Sequence, residues 1–260
     1  MTIDFSTITI YELLALILAI VALLIPIVPW AWKKWMVKPE LKHISTGSAT
    51  LFFNRCGSYI RVDGVYQANN KPITIEEITI KIIREKDESV LKLRWNNIIS
   101  PISQNIVGNF ALTTVVAHPF RIEANSVVSS FMEFADFSNS TGKEFQPHYD
   151  LLISEAKKAS VLSKQYDQAY SNYVISDIYK KASSNLEQHL FWKGGKYKVI
   201  LTARFEKTSV DFHYKFEVTN EDYKMLLHNI SEVLAYPLKE AYNEPPNFNA
   251  VQVEITKNEK

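Results

Sequence analysis

Twenty consecutive residues, Leu13 to Trp32 in LLALILAIVALLIPIVPWAW, carry no charge. At 1.5 Å per residue they make about 30 Å of helix, the hydrocarbon thickness of a bilayer. A helix packed in a soluble core would show a polar stripe, and Leu14 to Ile25 shows none. A transmembrane helix is therefore predicted over residues 13–35. The residues before it, MTIDFSTITIYE, supply Asp4 and Glu12 but no Lys or Arg, and no small-residue cleavage site follows the run. That pattern predicts a retained anchor rather than a cleaved signal peptide.

The flanks set an expected orientation. Lys33, Lys34, Lys38 and Lys42 crowd the C-terminal side, while the N-terminal side is acidic. Positive residues beside a short span stay in the cytoplasm, so residues 1–12 should form a short extracytoplasmic tail at a bacterial inner membrane. The soluble part should lie inside. Trp30, Trp32 and Trp35 sit where an aromatic belt would lie, and Pro26 and Pro29 fall in the last turns, where a kink or an early end is tolerated.

Composition narrows the function. A single cysteine, Cys56, forms no internal disulfide, consistent with a reducing compartment. On that reading the sequon-like NST at Asn139 and NIS at Asn229 arise by chance. A net charge of +1 gives no electrostatic case for nucleic acid, and only 7 glycines argue against phosphate-cradling loops.

Past Lys42 the apolar residues recur with period two. In YIRVDGVYQA, residues Ile60, Val62, Tyr66 and Ala68 share one face. KYKVILTARFE and DFHYKFEV alternate in the same way, with Phe212, Tyr214 and Phe216 inward and Asp211, His213 and Lys215 outward, and predict a hairpin turning around Lys207 to Val210. In ITIEEITIKIIR the apolar parity is odd at Ile73 and Ile75, then even from Ile78. Either a β-bulge at Glu76-Glu77 absorbs the slip, the favoured reading, or the strand begins only at Glu77. Further strands are expected near Ala49–Asn54, Val90–Trp95, Phe120–Ala124 and Val127–Phe134.

These seven or eight short strands predict a mainly β fold with added helices: an antiparallel β-sandwich, immunoglobulin-like in strand number only. Its first part would cover residues 36–146 and a hairpin at 192–219 would complete it. Between them, 147–191 places Leu152, Ala156, Ala159, Leu162, Tyr166, Tyr170, Tyr173, Ile178, Ala182 and Leu186 at helical spacing and reads as a helical insertion beginning at Pro147. A C-terminal helix is expected over 220–238, capped by Asn220, followed by a loop and charged tail at 239–260 in which VQVEI could add an edge strand.

Motifs of chemistry are absent. None of the six histidines falls in a metal-ligand spacing, and there is no nucleophile elbow or Walker loop. Asp211 and His213 share a strand face without a third ligand. Glu76 and Glu77, as strand neighbours, should point to opposite faces. Arg55 beside Cys56 could favour a thiolate, yet no base is assignable. WKGGKYK reads as a solvated turn before a phosphate site. No catalytic residue, cofactor or metal is expected.

What remains is the tyrosine set Tyr166, Tyr170, Tyr173 and Tyr179. Tyrosines at that spacing usually pack on the parent sheet with their hydroxyls reaching solvent; a partner or homo-oligomer surface is the other reading, since interfaces enrich tyrosine. The expected function is a non-catalytic module, tethered to the lipid bilayer, that recruits or senses a protein partner. An effector acting through its transmembrane helix is the alternative, and an enzyme with scattered site residues comes third.

Overall fold

The computed structural model describes residues 9–106 and 109–258, with backbone alone at 33–34, 100–106 and 109–113. Most of the tail at 1–12, and the side chains of Lys33 and Lys34, thus lie outside the described residues. Helix α1 spans Ile10–Trp35, and Pro26 and Pro29 lie inside it without ending it. Glu12 has a structural use: the Thr9 N–H donates to its Oε2 at 2.8 Å, while Thr9 Oγ1 accepts from the Glu12 N–H at 3.4 Å, a reciprocal cap on the first turn. The stretch Ile10–Trp32 has a mean hydropathy of 2.8 and none of it is buried against the rest of the chain. By length and composition it can cross a membrane; a signal sequence near an N-terminus meets the same two criteria.

Seven strands follow: β1 (Glu40–Asn54), β2 (Gly57–Asn69), β3 (Ile73–Arg84), β4 (Val90–Ile106), β5 (Asn109–Val116), β6 (Phe120–Ile122) and β7 (Ser126–Ala135). Helices α2 (Ser140–Leu162), α3 (Tyr166–Val174) and α4 (Asp177–His189) precede the hairpin β8 (Gly195–Phe205) and β9 (Thr208–Val218). Helix α5 (Asn220–Ala241) and the short strands β10 (Val251–Glu254) and β11 (Thr256–Lys257) end the described chain.

The fold is mainly β with helices, and every strand pairing is antiparallel. The ladders describe a single eleven-stranded sheet in the order β10-β1-β2-β7-β4-β3-β8-β9-β11, with β5 on β4 and β6 on β3, rather than the two stacked sheets of a sandwich. Its two ends are joined by one short segment. β10 pairs with β1 (Ala49 opposite Val253), and two residues later β11 pairs with β9 (Thr256 opposite Lys215). The sheet is therefore nearly closed, and VQVEI sits at its seam. Across that seam His43 of β1 meets Tyr214 of β9, Nδ1 to hydroxyl, at 2.6 Å. Closure leaves few unpaired strand edges, the usual liability of an open sheet.

The bulge is present. Ile75 faces Phe205 and Glu77 faces Arg204, so Glu76 is the extra residue, and Ile73, Ile75, Ile78, Ile80 and Ile82 are all buried. The β8–β9 turn is tighter than expected, only Glu206-Lys207. Glu206 takes a φ of +53°, which two-residue hairpin turns require and which Asn-Gly pairs usually supply. Without that signature the alternation locates the hairpin but not the length of its turn.

On β9, Tyr214 and Phe216 are buried and Phe212 is half-buried, while Asp211 and Lys215 are exposed. Phe216→Ala should cost about 3–5 kcal/mol and Lys215→Ala within about 0.5 kcal/mol, measured by urea unfolding. Equal losses would contradict the assigned faces.

The helical insertion begins earlier than Pro147 suggests. Pro147 lies inside α2, which starts at Ser140. Leu162, expected on the apolar face, is exposed, whereas Leu152, Ala156, Ala159, Ala182 and Leu186 are buried as expected. Thr219, not Asn220, caps α5: its Oγ1 accepts from the Asp222 N–H at 3.1 Å, and its own N–H donates to Asp222 Oδ2 at 2.9 Å. α2 packs on α4 and α5, and α5 on β1, so the helices form one layer at the β1–β2 turn.

Candidate functional site

That helical layer and the β1–β2 turn enclose a cleft of about 260 Å³. The turn presents Arg55 and Cys56, α2 presents Tyr149, α5 presents Val233 and Tyr236, and the segment before β10 presents Phe248. Each wall has its own support. Asn54 Oδ1 accepts the Cys56 N–H at 2.8 Å and fixes the turn, and Gly57 at φ +112° allows β2 to leave it. A Cβ on Gly57 would also stand 3.1 Å from Thr141 Oγ1 of α2.

The Phe248 wall is held from beneath. Asn229 of α5 is buried; its amide donates to Phe53 O (3.2 Å) and Asn249 O (2.8 Å), and its Oδ1 accepts the Asn249 N–H at 2.7 Å. Glu232, one turn on, accepts the Asn247 N–H at 2.7 Å and Lys239 Nζ at 2.7 Å. The backbone on both sides of Phe248 is thereby clamped, and its ring remains 43 % exposed. Asn229→Ala would leave those backbone groups without partners and should destabilise the chain by about 2–4 kcal/mol, read from the urea midpoint. A midpoint shift near zero would mean that the clamp contributes nothing. A buried Asn229 is also inaccessible to glycosylation, whatever its tripeptide.

Electrostatically the cleft holds one ionised side chain. The Arg55 guanidinium lies 5.1 Å from the centre of the Tyr149 ring, a cation–π distance. Burial pushes the Tyr149 phenol up, and Arg55 partly opposes this. Tyr59, outside the cleft behind Cys56, is held protonated by burial and by the neighbouring thiol. Among the described residues no carboxylate forms an ion pair with Arg55.

The tyrosine set lies elsewhere in the helical layer. Tyr173 is buried, and its hydroxyl donates to Leu234 O at 2.9 Å. Tyr166 stacks on Tyr170 (5.6 Å) and meets Tyr242 edge-on, and Tyr179 meets Tyr173 edge-on at 5.4 Å. Burial pushes the Tyr166 phenol up to about 12. Tyr166, Tyr170 and Tyr179 remain half-buried and reach the surface in part. Trp30, Trp32 and Trp35 are exposed on α1, Trp30 meeting Trp35 edge-on at 6.2 Å.

The other sequence candidates resolve into structural contacts. Asp211 accepts from Thr202 Oγ1 at 2.7 Å. Arg204 reaches both Glu76 (3.5 Å) and Glu77 (3.3 Å), and Arg94 also pairs with Glu77. In WKGGKYK, the Tyr197 hydroxyl donates to Lys193 O at 2.6 Å and accepts from the Lys193 N–H at 2.8 Å, tying the turn to β8. Among the described residues no group of three or more His, Cys, Asp or Glu could hold a metal ion.

Only Arg55 and Cys56 of the cleft drew notice in the sequence, and then for the thiol. Tyr149, Tyr236 and Phe248 share no motif or spacing, and no local signal could have joined them.

No family model matches the chain, and no curated protein matches it. Among solved structures it is similar to a family 123 glycoside hydrolase from Clostridium perfringens, described in connection with glycolipid glycan hydrolysis. The match has 13 % identity and a TM-score of 0.31, covering 71 % of this chain and 28 % of that one. The chain spans under a third of that structure's length, and a likeness this loose transfers neither fold nor activity.

Proposed function

We propose that the chain is a membrane-tethered, non-catalytic recognition module whose soluble part lies in the cytoplasm and recruits a protein partner at the inner membrane. The observation that carries this reading is α1, a helix of bilayer length that buries none of its apolar surface in the chain. Such a surface in water would be strongly unfavourable, since apolar area left exposed forfeits about 25 cal/mol per Å². The lysines after it support the inward orientation. The cleft adds a preformed surface with one cation and no carboxylate in its lining, a composition suited to binding rather than to acid–base catalysis.

Two measurements test this. The intact chain should resist alkaline extraction from membranes and keep its own N-terminus; loss of residues before about Trp35 would make α1 a signal sequence. A reporter active only in the periplasm, fused after Lys260, should be inactive, and an active fusion would reverse the orientation. For the partner surface, Tyr166→Ser or Tyr170→Ser should retain the fold and lose a co-purifying protein. If every loss of partner follows loss of melting temperature, the tyrosines serve packing alone.

A further inference from the structure

We infer that the cleft beside the β1–β2 turn is a binding site for a small planar organic anion, one or two rings bearing a carboxylate. Three features of the cleft point to that class. Its volume of about 260 Å³ lies just below the 300–1,000 Å³ usual for drug-sized ligands, which limits the occupant to a small one. Two of its walls, Tyr236 and Phe248, are aromatic side chains that remain 36 % and 43 % exposed. The backbone on both sides of Phe248 is clamped by Asn229 and Glu232, which fixes where that ring is attached at the cleft. A flat apolar ligand would cover surface that the chain itself leaves wet.

Arg55 supplies the charge selectivity. It is the sole ionised group of the lining and has no carboxylate partner among the described residues; its guanidinium lies over the Tyr149 ring, and the Asn54-capped turn sets its backbone at the cleft. A guanidinium held in this way offers paired N–H donors to a carboxylate, the geometry in which arginine binds anions most strongly. Asn54 at the rim adds a polar amide. Pre-positioning of ring walls and cation reduces the ordering cost of binding. The site uses neither α1 nor the tyrosines on which the tests of the recruitment role rest, so its test and theirs fail separately.

Cys56 gives a built-in reporter, because it is the single cysteine of the chain and lines the cleft. The full-length protein in lipid nanodiscs is alkylated with neutral iodoacetamide, and the rate at Cys56 is followed by mass spectrometry with 2-naphthoate, 2-naphthamide or inorganic phosphate present. 2-Naphthoate should slow alkylation saturably, at a concentration about tenfold or more below that needed for 2-naphthamide, the factor expected of one charge-assisted contact. Phosphate, which has no ring, should protect weakly. Arg55→Gln should abolish the preference for naphthoate over naphthamide, and Phe248→Ala should weaken protection by both. Equal protection by acid and amide, a preference unchanged in Arg55→Gln, or no protection by naphthoate at all would each overturn the assignment. Unchanged near-ultraviolet circular dichroism of the variants separates these outcomes from misfolding.

Discussion

Trp192→Ala should remove about 4–5 kcal/mol of stability, the upper end of the range for a buried aromatic truncated to alanine. Trp192 is fully buried where the chain leaves the helical layer for β8. Its ring lies 6.0 Å from Tyr197 and 6.2 Å from Phe216, and those two stack on each other at 4.9 Å. Its Nε1–H donates to Phe52 O at 2.8 Å, tying the helix-to-strand crossing to β1 on the opposite side of the core. The variant would open a cavity and also remove the indole donor from the part-buried Phe52 carbonyl, and both losses act in the same direction. Lys193→Ala, at the exposed neighbour, should change the urea midpoint little. A Trp192→Ala loss below about 2 kcal/mol would mean that the core collapses readily around the missing ring.

Stability should also fall by about 2–3 kcal/mol between pH 7.5 and pH 4.5 through one group, His43. Burial lowers its folded pKa to about 4 from an ordinary value of 6.5. The native imidazole is therefore neutral across a range in which the unfolded one takes up a proton. Unfolding binds that proton, so stability is lost as pH falls from about 6.5 towards 4 and changes no further below that through this residue. The setting explains the shift. The ring sits among Tyr66 (4.6 Å), Phe212 (5.6 Å) and Tyr214, and its Nδ1 is 2.6 Å from the Tyr214 hydroxyl. With Nδ1 unprotonated, Tyr214 can donate to it; an imidazolium would offer two donors there and no acceptor. His43→Gln should flatten the pH dependence of the urea midpoint over this window relative to the native chain. An unchanged slope would assign the dependence to other groups. Gly64 provides the room for this ring, since a Cβ there would come within 2.2 Å of His43 Nε2, and Gly64→Ala should destabilise the seam at every pH.

How much of this could be read in advance depends on the range of the interaction. The apolar run of α1 is a property of consecutive residues, and its length alone states that it can cross a bilayer. The strand faces of β2, β8 and β9 and the bulge at Glu76 also follow from a period of two, because one slipped residue would turn isoleucines to the wrong side. The helical insertion showed its spacing in the same way, although its start at Ser140 was hidden by Pro147, which α2 accommodates in its second turn. The tyrosines show the limit of spacing as a guide. Helical periodicity places Tyr166, Tyr170 and Tyr173 near one another, but only the packing of α3 against α2 and α5 decides that Tyr173 is buried and the others half-buried.

The sequence by itself determined the apolar helix, the mainly β composition, the strand faces and the absence of known catalytic motifs, since all of these rest on neighbours a few residues apart. Tertiary structure decided the rest. Closing the sheet depends on residues 251–257 pairing with β1 and β9, about 200 and 40 positions earlier, and strand number carries no trace of that choice. The cleft joins a turn at 54–56, a helix residue at 149, helix residues at 233 and 236 and a clamped loop at 248. Each is unremarkable in its own stretch, and only packing brings their aromatic faces around Arg55, because side-chain packing recognises shape and volume rather than position in the chain.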